Sequence, residues 1–90
     1  MTIMIVTYDL MNPGQNYEAL LKRIREYQNW AKLGYSAFLI ATEQTPVQVR
    51  DYLGQAIDRN DKLYVGVAVA PAAWHGLTDD VSNWIRSNLK

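Results

Sequence analysis

The sequence of 90 residues contains no cysteine. This absence excludes disulfide bonds, thiolate metal sites and cysteine-ligated iron–sulfur clusters, and it fits a reducing compartment. Long apolar runs are also absent, because the longest stretch, 63–74, is interrupted by Gly66 and Pro71 and is too short to span a bilayer. No basic segment precedes an apolar run at the start of the sequence, as it would in a signal peptide. We therefore expect a soluble cytoplasmic protein with no membrane contact, built as a single domain over 1–90.

Neither sign of charge is in excess, since nine Lys and Arg residues balance nine Asp and Glu residues. Dedicated nucleic-acid binders are usually basic, because neutralising phosphates drives their affinity. The balance therefore disfavours tight, non-specific binding of nucleic acid. One local cluster, Lys22, Arg23 and Arg25, is diluted by Glu18 and Glu26. It is interpreted either as a solvated helix face of mixed charge or as a phosphate-binding stripe.

The first predicted strand, 2–10, is apolar on both of its faces. Side chains of a strand alternate between faces, so one face carries Ile3 and Ile5 and the other carries Met4 and Val6. A strand of this kind is central in its sheet and needs cover on both sides. We expect helices on one face, and a second copy of the chain or the C-terminal helix on the other.

This strand delivers a single acid, Asp9, at the place where an active-site acid usually lies. One interpretation is that Asp9 binds a divalent metal. The alternative is structural: Asp9 accepts hydrogen bonds from backbone amides two residues on and caps the turn at Asn12-Pro13-Gly14.

Local signals predict the remaining elements. The clearest helix start is the capping box of Thr45 and Gln48, with Pro46 at the first helical position. After the first strand, we predict a helix capped by Asn16 with an apolar stripe over 17–27, and then a short extended piece at 30–33 that breaks at Gly34. A strand at 35–42 and a helix from the Thr45 cap to about 57 follow. The last predicted elements are a strand at 62–70 and a helix from the Thr78 cap to about 89.

This order predicts an α+β fold: a ferredoxin-like βαββαβ sandwich over 1–70, followed by a C-terminal loop and an extra helix over 71–90. The two strand-helix-strand crossovers place both main helices on one face of the sheet. The last strand is bulky on one face and nearly bare on the other, where Gly66 and Ala68 follow Tyr64. The bare face favours close approach of another backbone or a helix.

One function with this fold is RNA recognition, because 34–38 reads Gly-Tyr-Ser-Ala-Phe and faintly resembles the aromatic signature of that family. The spacing argues against it, since Tyr35 and Phe38 are an odd number apart and point to opposite faces of a regular strand. The basic residue that opens the signature is also missing. The pattern therefore favours this function least.

Three features match another pattern more closely. Tyr8-Asp9 ends an aliphatic first strand, the aromatic-rich segment 27–30 closes the first helix ahead of Tyr35-Ser36-Ala37-Phe38, and the acidic turn 58–61 precedes the last strand of the core. Together they resemble the family of the small CRISPR adaptation protein that partners the integrase. They are also similar to its relatives among VapD-type toxins and short bacterial and phage proteins. The resemblance covers about residues 2–70.

The resemblance implies a ferredoxin-like homodimer whose sheets face each other. It also implies that Asp9 is a ligand for a divalent metal, Mg²⁺ or Mn²⁺, in phosphodiester cleavage, and that Ser36 is the serine of the family's Tyr-Ser-aromatic motif. One carboxylate per chain is a poor magnesium site, so a two-fold axis that brings Asp9 of both copies together would complete it.

Two functions follow as hypotheses. The first is a metal-dependent nuclease acting on RNA or DNA. The residues predicted to act in it are Asp9, Ser36 and Tyr8 at the catalytic and metal site, and Lys22, Arg23 and Arg25 along the nucleic-acid backbone.

The second hypothesis is a non-catalytic dimeric binding or regulatory module related to defence. It would use the cleft between two sheets for a small ligand, or the C-terminal helix with Trp74 and Trp84 for a protein partner. The same tryptophans have a structural interpretation, because they can pin the last helix to the rest of the chain. His75 has no second histidine with which to share a metal, so we interpret it as a packed or surface residue.

Overall fold

The structure, a computed structural model, describes residues 1–11 and 17–90. These residues form a small α+β domain with four strands and three helices. In chain order the elements are β1 (Thr2–Asp9), α1 (Glu18–Arg25), β2 (Asn29–Gly34), β3 (Ala37–Thr42), α2 (Pro46–Gly54), β4 (Lys62–Val67) and α3 (Asp79–Asn88). No helix among the described residues is both long and apolar enough to cross a membrane.

The four strands form one antiparallel sheet in the order β2-β3-β1-β4. β1 is therefore a central strand, as its two apolar faces predict. At its middle, Ile5 lies opposite Leu39 of β3 on one side and opposite Gly66 of β4 on the other. The outer strands are β2 and β4, and the pairing of β2 is irregular between Lys32 and Gly34.

The larger core lies between the sheet and the helices α1 and α2. Leu20 and Ile24 of α1 and Val49 and Leu53 of α2 are fully buried there. They pack on alternate residues of the two central strands, which are Met4, Val6, Tyr8, Phe38 and Ile40. Burial of each large apolar side chain stabilises the fold by about 1.5–3 kcal/mol relative to exposure. Both helices thus cover one face, as expected from the sequence.

The C-terminal segment covers part of the opposite face. Ile85 of α3 is buried with Ile3, Leu39 and Ala41 of the central strands. Half-buried apolar residues pack around this smaller core: Ile5, Leu33, Ala68, Trp74, Leu77, Val81, Trp84 and Leu89. The chain itself therefore supplies cover for part of the second apolar face of β1.

The hairpin between β2 and β3 differs in detail from the prediction. β3 begins at Ala37 and not at Tyr35, because Tyr35 and Ser36 form the turn. The carbonyl of Ser36 still accepts a hydrogen bond of 3.1 Å from the backbone N–H of Tyr8, so the turn stays attached to β1. β2 is correspondingly longer than the extended piece predicted at 30–33.

The last strand is shorter than predicted, since β4 ends at Val67 and not at Ala70. The N–H of Ala68 makes one further bond of 2.9 Å to the carbonyl of Ile3. Beyond it the chain leaves β1, and the N–H of Ala70 donates to the carbonyl of Lys90. At the other end of the chain, the predicted turn at 12–14 and the Asn16 cap lie outside the described residues.

The predicted capping box at the start of α2 is confirmed. The Oγ1 of Thr45 accepts a bond of 3.2 Å from the N–H of Gln48, and the Oε1 of Gln48 accepts one of 2.9 Å from the N–H of Thr45. The predicted cap of α3 is also present, since Thr78 Oγ1 accepts from the N–H of Val81. Both caps were predictable because they use only residues three apart in the sequence.

Candidate functional site

A groove of about 380 Å³ lies where β1 ends beside the turn between β2 and β3. It brings together the three residues that the sequence predicts at the catalytic site, which are Tyr8, Asp9 and Ser36. The rest of its lining consists of Leu10, Tyr17, Leu20, Leu21, Lys32 and Tyr35. The residues converge because the N–H of Tyr8 donates to the carbonyl of Ser36, the turn residue before β3, and Asp9 follows Tyr8 directly.

Tyr8 is the structural anchor of this groove. Its side chain is only 8% exposed, and its hydroxyl donates a hydrogen bond of 3.1 Å to the carbonyl of Tyr35. Burial raises the pKa of the Tyr8 hydroxyl, and the positive charge of Arg25 offsets part of that rise. The hydroxyl is therefore a protonated donor at neutral pH, and it holds the turn that carries Ser36.

Asp9 is exposed and lies on a ridge between two depressions. The second depression, of about 210 Å³, is on the sheet face that α3 partly covers, and Thr7 and Tyr64 contribute to it. Across the strands Asp9 lies opposite Lys62. Among the residues that the structure describes, the side chain of Asp9 has neither a hydrogen-bond nor an ion-pair partner. None of the described residues therefore prevents the carboxylate of Asp9 from binding a ligand.

The structural interpretation of Asp9 can be examined at one amide. Met11 is two residues on from Asp9, and its N–H donates a bond of 2.7 Å to the Oδ1 of Asp61. The amides beyond Met11 lie outside the described residues. At Met11, therefore, Asp61 and not Asp9 accepts the hydrogen bond of the backbone amide.

Asp61 is thus a residue beside the groove that positions the loop after β1, and the sequence analysis did not single it out. Its Oδ1 also accepts from the hydroxyl of Tyr17, at 3.2 Å, and its Oδ2 accepts from the N–H of Asp58, at 2.8 Å. Partial desolvation acts to raise the pKa of Asp61, but the three donated hydrogen bonds, first that of Met11, outweigh it and lower the pKa below the ordinary value. The carboxylate joins the loop after β1 to the turn before β4. The only signal in the sequence was its place in the acidic turn 58–61.

Lys32 and Tyr35 give the groove a positive and aromatic side. The ammonium of Lys32 lies 5.8 Å from the centre of the Tyr35 ring, and Tyr35 is 95% exposed. A fully exposed tyrosine at a hairpin tip contributes little to folding, so its ring is open to solvent and to ligands. The sequence analysis missed Lys32 because the extended piece that contains it had no assigned partner strand; in the structure that partner is β3.

The three basic residues of α1 do not form one stripe. Arg23 packs against α2, where its guanidinium donates to the carbonyl of Tyr52 and to Gln55 and lies 4.6 Å from the centre of the Tyr52 ring. Lys22 and Arg25 lie on the outer surface of α1, in a shallow depression that also contains Glu18 and Glu26. Arg25 and Glu18 approach to 3.9 Å. The described surface of α1 therefore carries mixed charge, and nucleic-acid binding by these residues stays a prediction.

Both tryptophans of the C-terminal segment make contacts within the chain. The indole N–H of Trp74 donates to Ser82 at 3.0 Å, and that of Trp84 donates to the side-chain oxygen of Asn29 at 2.6 Å. Each ring is half-buried against the smaller core. The indoles therefore attach the C-terminal segment to the sheet, and their role in binding a partner stays a prediction. His75 is exposed in the loop between them.

The ligand set for a metal is sparse. Within residues 1–11 and 17–90, no three His, Cys, Asp or Glu side chains lie close enough to share a metal ion. Asp9 thus offers a single carboxylate in the groove. Comparison of the chain with models of protein families, with curated proteins and with solved structures finds no match.

Proposed function

We propose that this chain is a divergent, ferredoxin-like relative of the small CRISPR adaptation protein family, and that its groove binds a phosphodiester of RNA or DNA for metal-dependent cleavage. The sheet order β2-β3-β1-β4 with α1 and α2 on one face supports the ferredoxin-like assignment, in which α3 is the extra helix. The resemblance in sequence supports the family. The strongest support comes from the residues that line the groove.

The observation that carries the proposal is the meeting of Tyr8, Asp9 and Ser36 in one groove with Lys32 beside them. The resemblance and the strand pattern point to the first three residues from the sequence alone. An ammonium and a hydroxyl can bind phosphate oxygens, and a carboxylate can hold a metal ion beside them. Such a combination supports a phosphate ligand more than an apolar one.

Each residue has a chemical role in this proposal. Lys32 would pair with a non-bridging phosphate oxygen, and the Ser36 hydroxyl would donate a hydrogen bond to a second one. Tyr35 would stack on a base next to the phosphate. Tyr8 acts indirectly, by holding the turn that carries Ser36.

The donor set fits Mg²⁺ or Mn²⁺ only where the substrate supplies further ligands. Asp9 would be the one carboxylate ligand, at the low end of the one or two carboxylates that bind magnesium together with waters and substrate phosphates. When bound, the ion would supply charge neutralisation at the phosphate and a water of lowered pKa. A second Asp9 from a facing copy would strengthen the site. That pairing stays a prediction, and α3 occupies part of the face on which the sheets would meet.

Cleavage of end-labelled RNA and DNA with Mg²⁺ or Mn²⁺ tests the proposal. We expect Asp9→Asn to reduce the cleavage rate by at least about 10–100-fold, the range seen for residues that merely support metal ligands. Asp51→Asn is the matched control, because Asp51 is exposed on α2 and pairs only with Arg50 among the described residues. Equal cleavage by wild type and Asp9→Asn, with circular dichroism showing both folded, would refute the nuclease.

One observation favours a second function, a non-catalytic dimeric binding or regulatory module. Lys62 lies across the strands from Asp9, so a positive charge stands beside the one carboxylate that would hold a metal. If the chain is such a module, Asp9→Asn should bind the ligand as tightly as the wild type does. Trp84→Ala should bind it more weakly, and so should Ala68→Leu, which fills the sheet face beside α3. The opposite pattern would exclude the module.

A further inference from the structure

β4 presents an open backbone edge. The bond from Ala68 N–H to the Ile3 carbonyl shows which residues of β4 face β1. Because backbone groups alternate in direction along a strand, those of Leu63, Val65 and Val67 point away from β1. Among the described residues, no backbone or side-chain group bonds to them. The edge therefore offers three N–H groups and three carbonyls in a row.

The edge also lacks the protection that outer strands usually have. From Leu63 to Ala70 it contains no charge and no proline, and Val67 is 55% exposed. The other outer strand is different, since β2 has an irregular pairing at Lys32 and is bound to α3 through Asn29 and Trp84. Charges, bulges and covering elements are the devices that prevent strand pairing. β2 has all three, and β4 has none after Lys62.

The sequence of β4 complements itself in one antiparallel register. With a two-fold axis at Val65, the outward-facing groups of each Val65 bond to the other, and those of Leu63 bond to Val67 of the second copy. On the bare face, Tyr64 lies opposite Gly66 of the second copy, so the ring meets no side chain. Lys62 lies opposite Ala68, and no like charges meet.

We propose that β4 pairs with β4 of a second copy of this chain in this register, which joins the two sheets into one of eight strands. A peptide strand from another protein is the competing occupant, but the self-complementary register of β4 favours a second copy of this chain. The inference does not rest on the nuclease proposal. It places the two Asp9 grooves at opposite ends of the paired strands, so each groove works with its own carboxylate.

Sedimentation equilibrium at micromolar concentration tests the pairing. We expect the wild type to have twice the 10.3 kDa mass of one chain. Val67→Lys places a charge on the edge and should weaken the dimer by at least about tenfold. Val47→Lys is the matched control, because Val47 is 54% exposed in the first turn of α2 and belongs to no strand, so it should leave the dimer unchanged. A wild type that stays at the mass of one chain, or equal weakening by both variants, overturns the proposal.

A cysteine experiment tests the register in a protein that has no cysteine of its own. In the proposed pair the two Val65 Cα atoms are about 5.5 Å apart, within the range that a disulfide spans. The two Leu63 Cα atoms are about 14 Å apart, because four residues of strand, about 13 Å, and the spacing between the strands, about 5 Å, separate them. Mild oxidation with diamide should therefore cross-link Val65→Cys and not Leu63→Cys. Cross-linking of both variants or of Leu63→Cys alone would overturn the register.

Discussion

The carboxylate of Asp61 holds the backbone N–H of Met11, 50 residues earlier in the chain, by a hydrogen bond of 2.7 Å. The bond joins the end of the first strand to the start of the last one. Both strands contribute to the candidate groove and its neighbouring depression, through Asp9 and Lys62. The position of the groove therefore depends on a residue that does not line it.

Asp61→Asn should destabilise the fold at neutral pH, because an amide accepts the bonds from Met11, Asp58 and Tyr17 more weakly than a carboxylate does. The pKa of Asp61 is lowered in the folded state, so its stabilisation is present above the ordinary carboxyl pKa of 3.8 and is lost as the pH falls through the lower folded value. Urea denaturation at neutral and at acid pH measures the difference.

The wild type and Asp61→Asn should approach each other in stability only in acid. Asp51→Asn is again the control, since Asp51 is exposed and lies beside Arg50. A constant difference between wild type and Asp61→Asn down to the lowest pH would show that the ionised carboxylate is not what stabilises the loops.

Tyr8→Phe should lower the free energy of unfolding by about 1 kcal/mol, because it removes the hydrogen bond to the carbonyl of Tyr35 and leaves the buried ring in place. If the turn positions Ser36, the same variant should weaken binding of a short oligonucleotide while Tyr27→Phe does not. Tyr27 makes the control because its hydroxyl bonds to Gln44, away from the groove. Fluorescence anisotropy reads the binding, and equal affinity for Tyr8→Phe and wild type would contradict this role.

Gly66→Ala should change the free energy of unfolding by less than about 1 kcal/mol. A methyl group at Gly66 would come within 2.9 Å of Cε1 of Tyr64, but this atom is at the end of a side chain that is 62% exposed and can rotate away. In a Tyr64→Ala background the same change should be stabilising, because alanine suits a strand better than glycine. A double-mutant cycle by thermal unfolding measures this coupling, and zero coupling would mean that the ring does not cover Gly66 in solution.

Asn29→Ala should cost about 1–2 kcal/mol, since the side chain accepts from the indole of Trp84 and donates to Asn88. Asn88 in turn donates to the carbonyl of Trp84, which closes a small network between β2 and α3. Asn83→Ala is the matched control, because Asn83 is exposed on α3 and accepts only from Arg86 among the described residues. Denaturant titrations in which both variants behave alike would show that this network does not hold α3 on the sheet.

Elements defined by neighbouring residues were predictable. The capping box at Thr45 and the cap at Thr78 are examples, because each is a bond between residues three apart. The start of β3 was predicted two residues early, because pairing with β1 decides where the turn at Tyr35 and Ser36 lies. Asp61 could not be assigned, since its partner Met11 is distant in sequence and leaves no periodic signal.

The candidate groove shows the same division. A carboxylate at the end of β1 and a serine before β3 could be selected from the sequence, through the strand pattern and the resemblance. Their approach depends on the antiparallel pairing of β1 with β3, and the pairing of β3 with β2 brings Lys32 to the groove. Because strand pairing depends on the whole chain, the position of Lys32 in the groove could be assigned only from the tertiary structure.

The sequence by itself determined that β1 is central and that both of its faces need cover, because alternating apolar side chains on two sides of one strand cannot both face water. It left open whether a second copy or the C-terminal helix covers the second face. Only the tertiary structure decided this for the part around Ile3 and Ala41, where Ile85 and the segment of Trp74 and Trp84 pack. The physical reason is that apolar burial is non-directional: the pattern shows that a surface must be buried, and only the path of the chain shows by what.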